Sequence, residues 1–235
     1  MRVFAGTSGY SYKEWKGPFY PERLPVAKML QFYAEQLPAV EINNTFYRLP
    51  KANVLESWRE QVSDDFRFAL KASRRITHDK RLKDTEEHTE YLLRTVQILG
   101  RRLGVILFQL PPYLRKDLPR LERFLDLLPE RTPAAFEFRH QSWLDHDVFD
   151  RLRARDFALC IADTDEDSEI PLVATARWGY LRLRRAEYSE SALADWVKRL
   201  RSQNWDTAYV FFKHEDEGAG PKLATRFLEL ASPSP

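Results

Sequence analysis

Short apolar runs alternate with amphipathic stretches along the whole chain, and this alternation constrains the fold more than any other feature. The strand-like runs fall at 3–8, 40–46, 66–72, 104–110, 134–139, 157–163, 178–184 and 208–214. Between them, helical spacing of apolar residues predicts helices over 27–37, 52–62, 86–102, 118–128, 145–155, 189–202 and 221–231. Gly104 is expected to cap the third of these helices, and Asp145 and Asp147 to open the fifth, where the helix dipole favours acidic groups. The segment between the sixth and seventh strands carries only a weak helical signal. Strands separated by helices pair in parallel through right-handed crossovers. Eight such units in 235 residues, about 29 residues each, predict a single α/β domain over 1–235, a (β/α)8 TIM-type barrel. A doubly wound open sheet would carry a Gly-x-Gly-x-x-Gly turn after its first strand, and Gly6-Thr7-Ser8-Gly9 does not match.

Composition agrees with a packed core: 43% of residues are hydrophobic and 31% charged, a balance that excludes wholesale disorder. The net charge of +2 is far from that of a protein built to coat DNA. One cysteine, Cys160, excludes an internal disulfide or a Cys-rich zinc module, and its mid-strand position predicts an inert core thiol. No apolar run is long enough to span a bilayer, and the N-terminus leads into strand sequence without a signal region, so a soluble, cytoplasmic protein with no membrane partner is expected.

Polar residues on the strands point to a site. Alternate residues of a barrel strand face its interior. In the second strand this puts Val40, Ile42, Asn44 and Phe46 outward, leaving Glu41, Asn43 and Thr45 inward. The same reading turns Lys71, Glu137, Arg139, Arg182 and Arg184 inward, with Asp163 ending strand six and Lys213 and His214 ending strand eight. A buried charge without a partner costs several kcal/mol, roughly, so such a set requires either a structural ion network or a prepared pocket at the strand C-terminal ends. The pocket is the reading favoured here. Glu41 and Glu137 are its candidate catalytic acid/base pair, because burial and basic neighbours can separate their pKa values. Arg139 and Arg182 offer forks for carboxylate or phosphate, and Lys71 a point charge or, if its pKa is depressed, a Schiff-base amine. Asn43, Thr45, His140 and Asp163 complete the polar candidates for substrate binding. Tyr10, Trp15 and Trp143 are candidates for stacking on a sugar or a base, whereas Phe19 and Tyr20 are expected to pack the first loop onto the barrel rim.

Other features carry weaker expectations. Gly218-Ala219-Gly220 before the last helix offers backbone N–H groups to a phosphate, but Glu215, Asp216 and Glu217 precede it and repel anions. His78, Glu137, His140, Asp163 and His214 are the candidate ligands for a divalent metal, without any tight ligand spacing, and no cofactor is predicted. Arg74, Arg75, Lys80, Arg81 and Lys83 form a basic stretch after strand three that suggests nucleic acid as an alternative partner, diluted by Asp79 and Asp84.

Several motifs in order resemble one family. Gly6-Thr7-Ser8-Gly9-Tyr10-Ser11-Tyr12 with Trp15, Gly17 and Phe19-Tyr20-Pro21 is followed by Glu41-Ile42-Asn43-Asn44-Thr45-Phe46-Tyr47-Arg48-Leu49-Pro50. Phe68 through Lys71 with Ile76-Thr77-His78, then Gln109-Leu110-Pro111-Pro112, Glu137-Phe138-Arg139-His140 with Ser142-Trp143, and Tyr180-Leu181-Arg182-Leu183 continue the series. Together they resemble the YecE-like family (domain of unknown function 72) over nearly the whole chain. The resemblance implies a TIM-type barrel with a pocket at the strand C-terminal ends and supplies no reaction. Two positions depart from the family pattern: Arg182-Leu183-Arg184-Arg185 replaces Arg-Leu-His-Gly, and Phe212-Lys213-His214 replaces Phe-Asn-Asn. Both changes make the expected pocket more electropositive. The functional expectation is an enzyme using acid/base chemistry on a small anionic, phosphorylated or sugar-like ligand; the alternative is a nucleic-acid-binding or metal-dependent nuclease-like barrel.

Overall fold

The computed structural model describes residues 1–165, 171–213 and 218–232. Eight parallel strands close on themselves in sequence order: β1 (Arg2–Ser8), β2 (Ala39–Ile42), β3 (Arg67–Lys71), β4 (Leu103–Gln109), β5 (Ala134–Glu137), β6 (Ala158–Asp163), β7 (Trp178–Leu183) and β8 (Thr207–Phe212). Outside them lie α1 (Met29–Gln36), α2 (Ala52–Glu60), α3 (Glu86–Val96), α4 (Leu118–Leu125), α5 (His146–Arg153), α6 (Glu190–Arg201) and α7 (Ala219–Ala231). Among the described residues the β6–β7 connection carries no helix, in keeping with its weak signal. Helix starts follow local capping chemistry: Asp117, Asp145 and Ser189 each accept a backbone N–H from the first turn of α4, α5 and α6.

The barrel interior is a taper of small and large side chains. Ala39, Ala69, Ala135 and Ala158 face Phe4, Tyr180, Tyr209 and Phe211 across it, with Val105, Leu107 and Cys160 filling the remainder. Four strands thus contribute methyl groups where β1, β7 and β8 contribute rings, a pairing of small and large that suits a narrow lumen. The opposite strand faces bury Val40, Phe68, Phe108, Phe136, Leu181 and Val210 beneath the helices. At Gly6 an added Cβ would lie 1.8 Å from the Ala39 carbonyl oxygen, so only glycine lets β1 approach β2 this closely.

Two expected boundaries move. The third helix ends at Val96 and passes into a 3-10 segment, Gln97–Arg102, kinked at Gly100 (φ 55°, ψ −129°), so Gly104 is not its cap. Gly104 lies inside β4, where an added Cβ would come within 3.0–3.1 Å of Tyr209 and Arg67. The second strand ends at Ile42, and the chain turns through a 3-10 turn at Asn44–Phe46. Thr45 fastens that turn by donating its hydroxyl to the carbonyls of Ile42 (3.0 Å) and Lys71 (2.7 Å).

Candidate functional site

Two residues further along four of the strands, the apolar lumen gives way to charge. Glu41 stands two residues beyond Ala39, Lys71 beyond Ala69, Glu137 beyond Ala135 and Arg182 beyond Tyr180, so the period of two places all four in one layer over the core. Arg182 bridges the two carboxylates. Its guanidinium donates to Glu137 Oε2 at 2.7 Å and to Glu41 Oε1 at 2.8 Å, and all three side chains are essentially buried. Glu41 also accepts from the hydroxyls of Ser8 (2.7 Å) and Tyr180 (2.6 Å) and from the Asn43 amide (3.1 Å). Glu137 accepts from the Gln109 amide (2.7 Å) and Arg139 Nε (3.0 Å).

This saturation sets the protonation states. Burial alone would raise the Glu137 carboxyl; Arg182 and Arg139 overcome it and hold it at about 2. Glu41 is likewise lowered, burial being outweighed by Arg182 and the hydrogen bonds of Tyr180 and Ser8. Both are ionised at neutral pH, and their charge holds Arg182 protonated against its own burial.

Further cations stand around this layer. A cleft of about 610 Å3 opens at the strand C-terminal ends, lined by Glu137, Arg139, His140, Ala162, Thr164, Asp165, Arg184 and Lys213, among others. Arg184 is lowered by burial and then by Arg182. Lys71, one inward position beyond Ala69, has its ammonium 4.0 Å from the Phe46 ring centroid. Burial, followed by repulsion from Arg182, pulls its amine down to about 8, although Glu137 and Glu41 pull the other way. His78, whose ring meets Phe46 edge-on at 4.8 Å, is lowered by burial and by Lys71. The layer over the carboxylates is therefore short of negative charge, which suits it to an anion.

Not every expected residue belongs here. Asp163 faces out of the barrel: it accepts from Arg185 Nε (2.7 Å), the Tyr188 hydroxyl (2.9 Å) and Trp196 Nε1 of α6 (3.0 Å). Cys160 faces the lumen, so Asp163, three residues on, must point the other way, and it is withdrawn from the substrate-binding set. Trp143 is buried beneath the rim, stacked on Phe138 and donating to the Leu114 carbonyl, and offers a ligand no face. Trp15 is equally buried among Tyr12, Phe19 and Tyr20. Tyr10 packs against Tyr33, and its carbonyl accepts from the Tyr20 hydroxyl, so the rings of the first loop form its core and not a stacking platform. Thr45 is spent on the turn described above. Asn43 reaches the ion network and His140 lines the cleft, its Nδ1 within 2.9 Å of Ser142 Oγ.

The metal candidates do not assemble either. Glu137 is taken by Arg182, Asp163 faces α6, and among the described residues no three of His, Cys, Asp and Glu gather; His214 lies outside the described residues. Glu215, Asp216 and Glu217 also lie outside them. Gly218, at φ 71°, precedes α7, and an added Cβ there would come within 3.2 Å of Pro18 and 3.6 Å of Phe19 in the first loop. In the basic stretch Arg74 pairs with Asp79, and the Lys80 ammonium is engaged by the Asp84 carbonyl.

The sequence reading missed the residues that hold the carboxylates. Ser8 pairs in register with Glu41, and Gln109 with Glu137, so a register argument from strand ends would have found both. Tyr180 lay one inward position below Arg182, hidden by its apolar ring.

A closed parallel barrel with a buried ion network and a cation-rich mouth defines a TIM-barrel protein with a polar site at the strand C-terminal face. The chain belongs to the family described as "Protein of unknown function DUF72", which matches residues 4–234. It is 34% identical over 139 residues to UPF0759 protein YecE of Escherichia coli strain K12, a stretch covering 59% of this chain and 48% of that protein. The match thus spans about half the length of that relative. UPF0759 protein YunF of Bacillus subtilis strain 168 is 22% identical over 269 aligned residues, covering 97% of this chain and 94% of YunF. A DUF72 family protein of Thermotoga maritima superposes with a TM-score of 0.83 at 27% identity, covering 98% of this chain and 99% of its own. A second, from Enterococcus faecalis, has the same fold: TM-score 0.83, 19% identity, 99% and 96% coverage. No helix of the described residues is long and apolar enough to cross a membrane.

Proposed function

We propose that the protein is an enzyme acting by proton transfer on a small anionic ligand, phosphorylated or sugar-like, bound at the barrel mouth. The observation carrying this reading is the charge layering. Two carboxylates are saturated by Arg182 and by neutral donors, while Lys71, Arg139, Arg184 and Lys213 surround them. An ion network that served stability alone would not place Lys71 and Arg184, whose side chains pair with no described residue, beside the Arg182 that repels both.

The role expected of Glu41 and Glu137 changes in this reading. A carboxylate held below its ordinary range is a feeble base and no acid at neutral pH, so the pair orients Arg182 and anchors the field. Lys71, with an amine near 8, has the protonation equilibrium that acid/base work at neutral pH requires. A thermal-shift screen of phosphorylated metabolites and sugar acids tests the reading. Stabilisation of the wild type that is lost in an Arg184→Gln/Lys213→Gln double variant is expected; stabilisation by none of them, or equally of both proteins, rejects it.

A further inference from the structure

The Lys71 side chain, like that of Arg184, makes no ion pair or hydrogen bond among the described residues. The residue's backbone carbonyl accepts from Thr45. Its one close neighbour is the face of Phe46, at 4.0 Å, a contact that desolvates without accepting a hydrogen bond in the ordinary sense. The charged and titratable groups facing it are Arg182 and Arg139, which oppose its proton, Glu137 and Glu41, which favour it, and His78. The carboxylates cannot pair with it directly, since their oxygens are occupied by Arg182, Arg139, Tyr180, Ser8, Asn43 and Gln109. A structural lysine would have been given a partner. A lysine kept half-buried, unpaired and crowded by guanidiniums is presented as an amine.

We propose that Lys71 is a nucleophile that forms a reversible imine with the carbonyl group of a small anionic aldehyde, ketone or 2-oxo acid, an inference that rests on the anion-binding reading above. The neutral amine nitrogen bonds to the carbonyl carbon and the carbon–oxygen bond breaks. The oxygen leaves as water with the two amine hydrogens, and hydrolysis reverses the step with no oxidant or reductant. In this proposal the substrate anion is held in the cleft that Arg139 and Arg184 line, and Lys71 reaches its carbonyl from beside the Glu137–Arg139 pair, whose charges it feels. Once formed, the iminium draws electrons from the neighbouring carbon, the purpose for which enzymes use such lysines.

Reductive trapping tests this. The full chain is incubated with glyoxylate, pyruvate or glyceraldehyde 3-phosphate and borohydride near neutral pH, and the modified lysines are located by peptide mass spectrometry. Propionaldehyde serves as the neutral control. Lys71 is expected to be labelled at least about tenfold faster than exposed lysines by an anionic probe, because far more of it is unprotonated at that pH. Inorganic phosphate should suppress the labelling. The Lys71→Arg variant should lose the trap yet still bind phosphate by calorimetry. Labelling spread over surface lysines with Lys71 at background, while phosphate still binds, overturns the imine and leaves the anion site standing. Absence of both labelling and phosphate binding overturns the two together.

Discussion

Replacing Arg182 with methionine removes the one cation shared by Glu41 and Glu137 while keeping the volume largely apolar and filled. The structure sets the size of the effect. A factor of ten in proton affinity is worth about 1.4 kcal/mol, so holding Glu137 at about 2 instead of 4.5 contributes about 3 kcal/mol at neutral pH. Glu41 adds to this in the same direction. Because both folded-state values are depressed, this stabilisation is complete above the unfolded carboxyl range and fades as pH falls from about 4.5 toward 2. In the variant burial is opposed only by Arg139 at Glu137 and by the Tyr180 and Ser8 hydroxyls at Glu41, so both carboxyls rise and the variant is penalised at neutral pH and relieved in acid. Urea unfolding should show a loss of about 3–5 kcal/mol at pH 7, the usual cost of breaking a buried pair, and a smaller gap at pH 4. If the single variant cannot be purified, the triple variant Glu41→Gln/Glu137→Gln/Arg182→Met should recover much of the loss and show a pH-independent gap. A single variant as stable as wild type at pH 7, or one whose deficit is identical at pH 7 and 4, refutes the reasoning.

Three more outcomes are expected. Asp163→Asn should cost about 1–2 kcal/mol through weakened bonds to Tyr188 and Trp196, yet leave phosphate affinity unchanged, since the residue faces α6; calorimetry separates the two. Gly6→Ala places a methyl group 1.8 Å from the Ala39 carbonyl oxygen, and more than about 4 kcal/mol should be lost, seen as insoluble or unfolded protein. The folded state depresses Lys71, so the unfolded chain binds more protons between pH 8 and 10.5; wild type should therefore gain stability over that range relative to Lys71→Met, measured by thermal melts.

Much of this was legible because strands of period two make inward and outward sets readable wherever one face is polar. Glu41, Glu137 and Arg182 each interrupt an apolar strand, so both their burial and their convergence followed from the barrel closing. Asp163 was misread because β6 is apolar on both faces, Ala158 to Ala162, and gives the alternation nothing to hold. Trp15 and Trp143 show a different limit: a ring on a loop after a strand can lie over the mouth or under the rim, and contacts distant in sequence decide it. Trp143 goes under because the Leu114 carbonyl, 29 residues away in sequence, accepts its indole N–H. The isolation of Lys71 was likewise beyond reach, for it depends on which donors had already filled Glu41 and Glu137.

The most direct measurement is a bromide soak of crystals of the protein, read by anomalous scattering. A peak is expected at the barrel mouth among Arg139, Arg184 and Lys213, and it should weaken in crystals of the Arg184→Gln/Lys213→Gln variant. Bromide distributed over surface arginines with the mouth empty would contradict the assignment of this layer of cations to an anion.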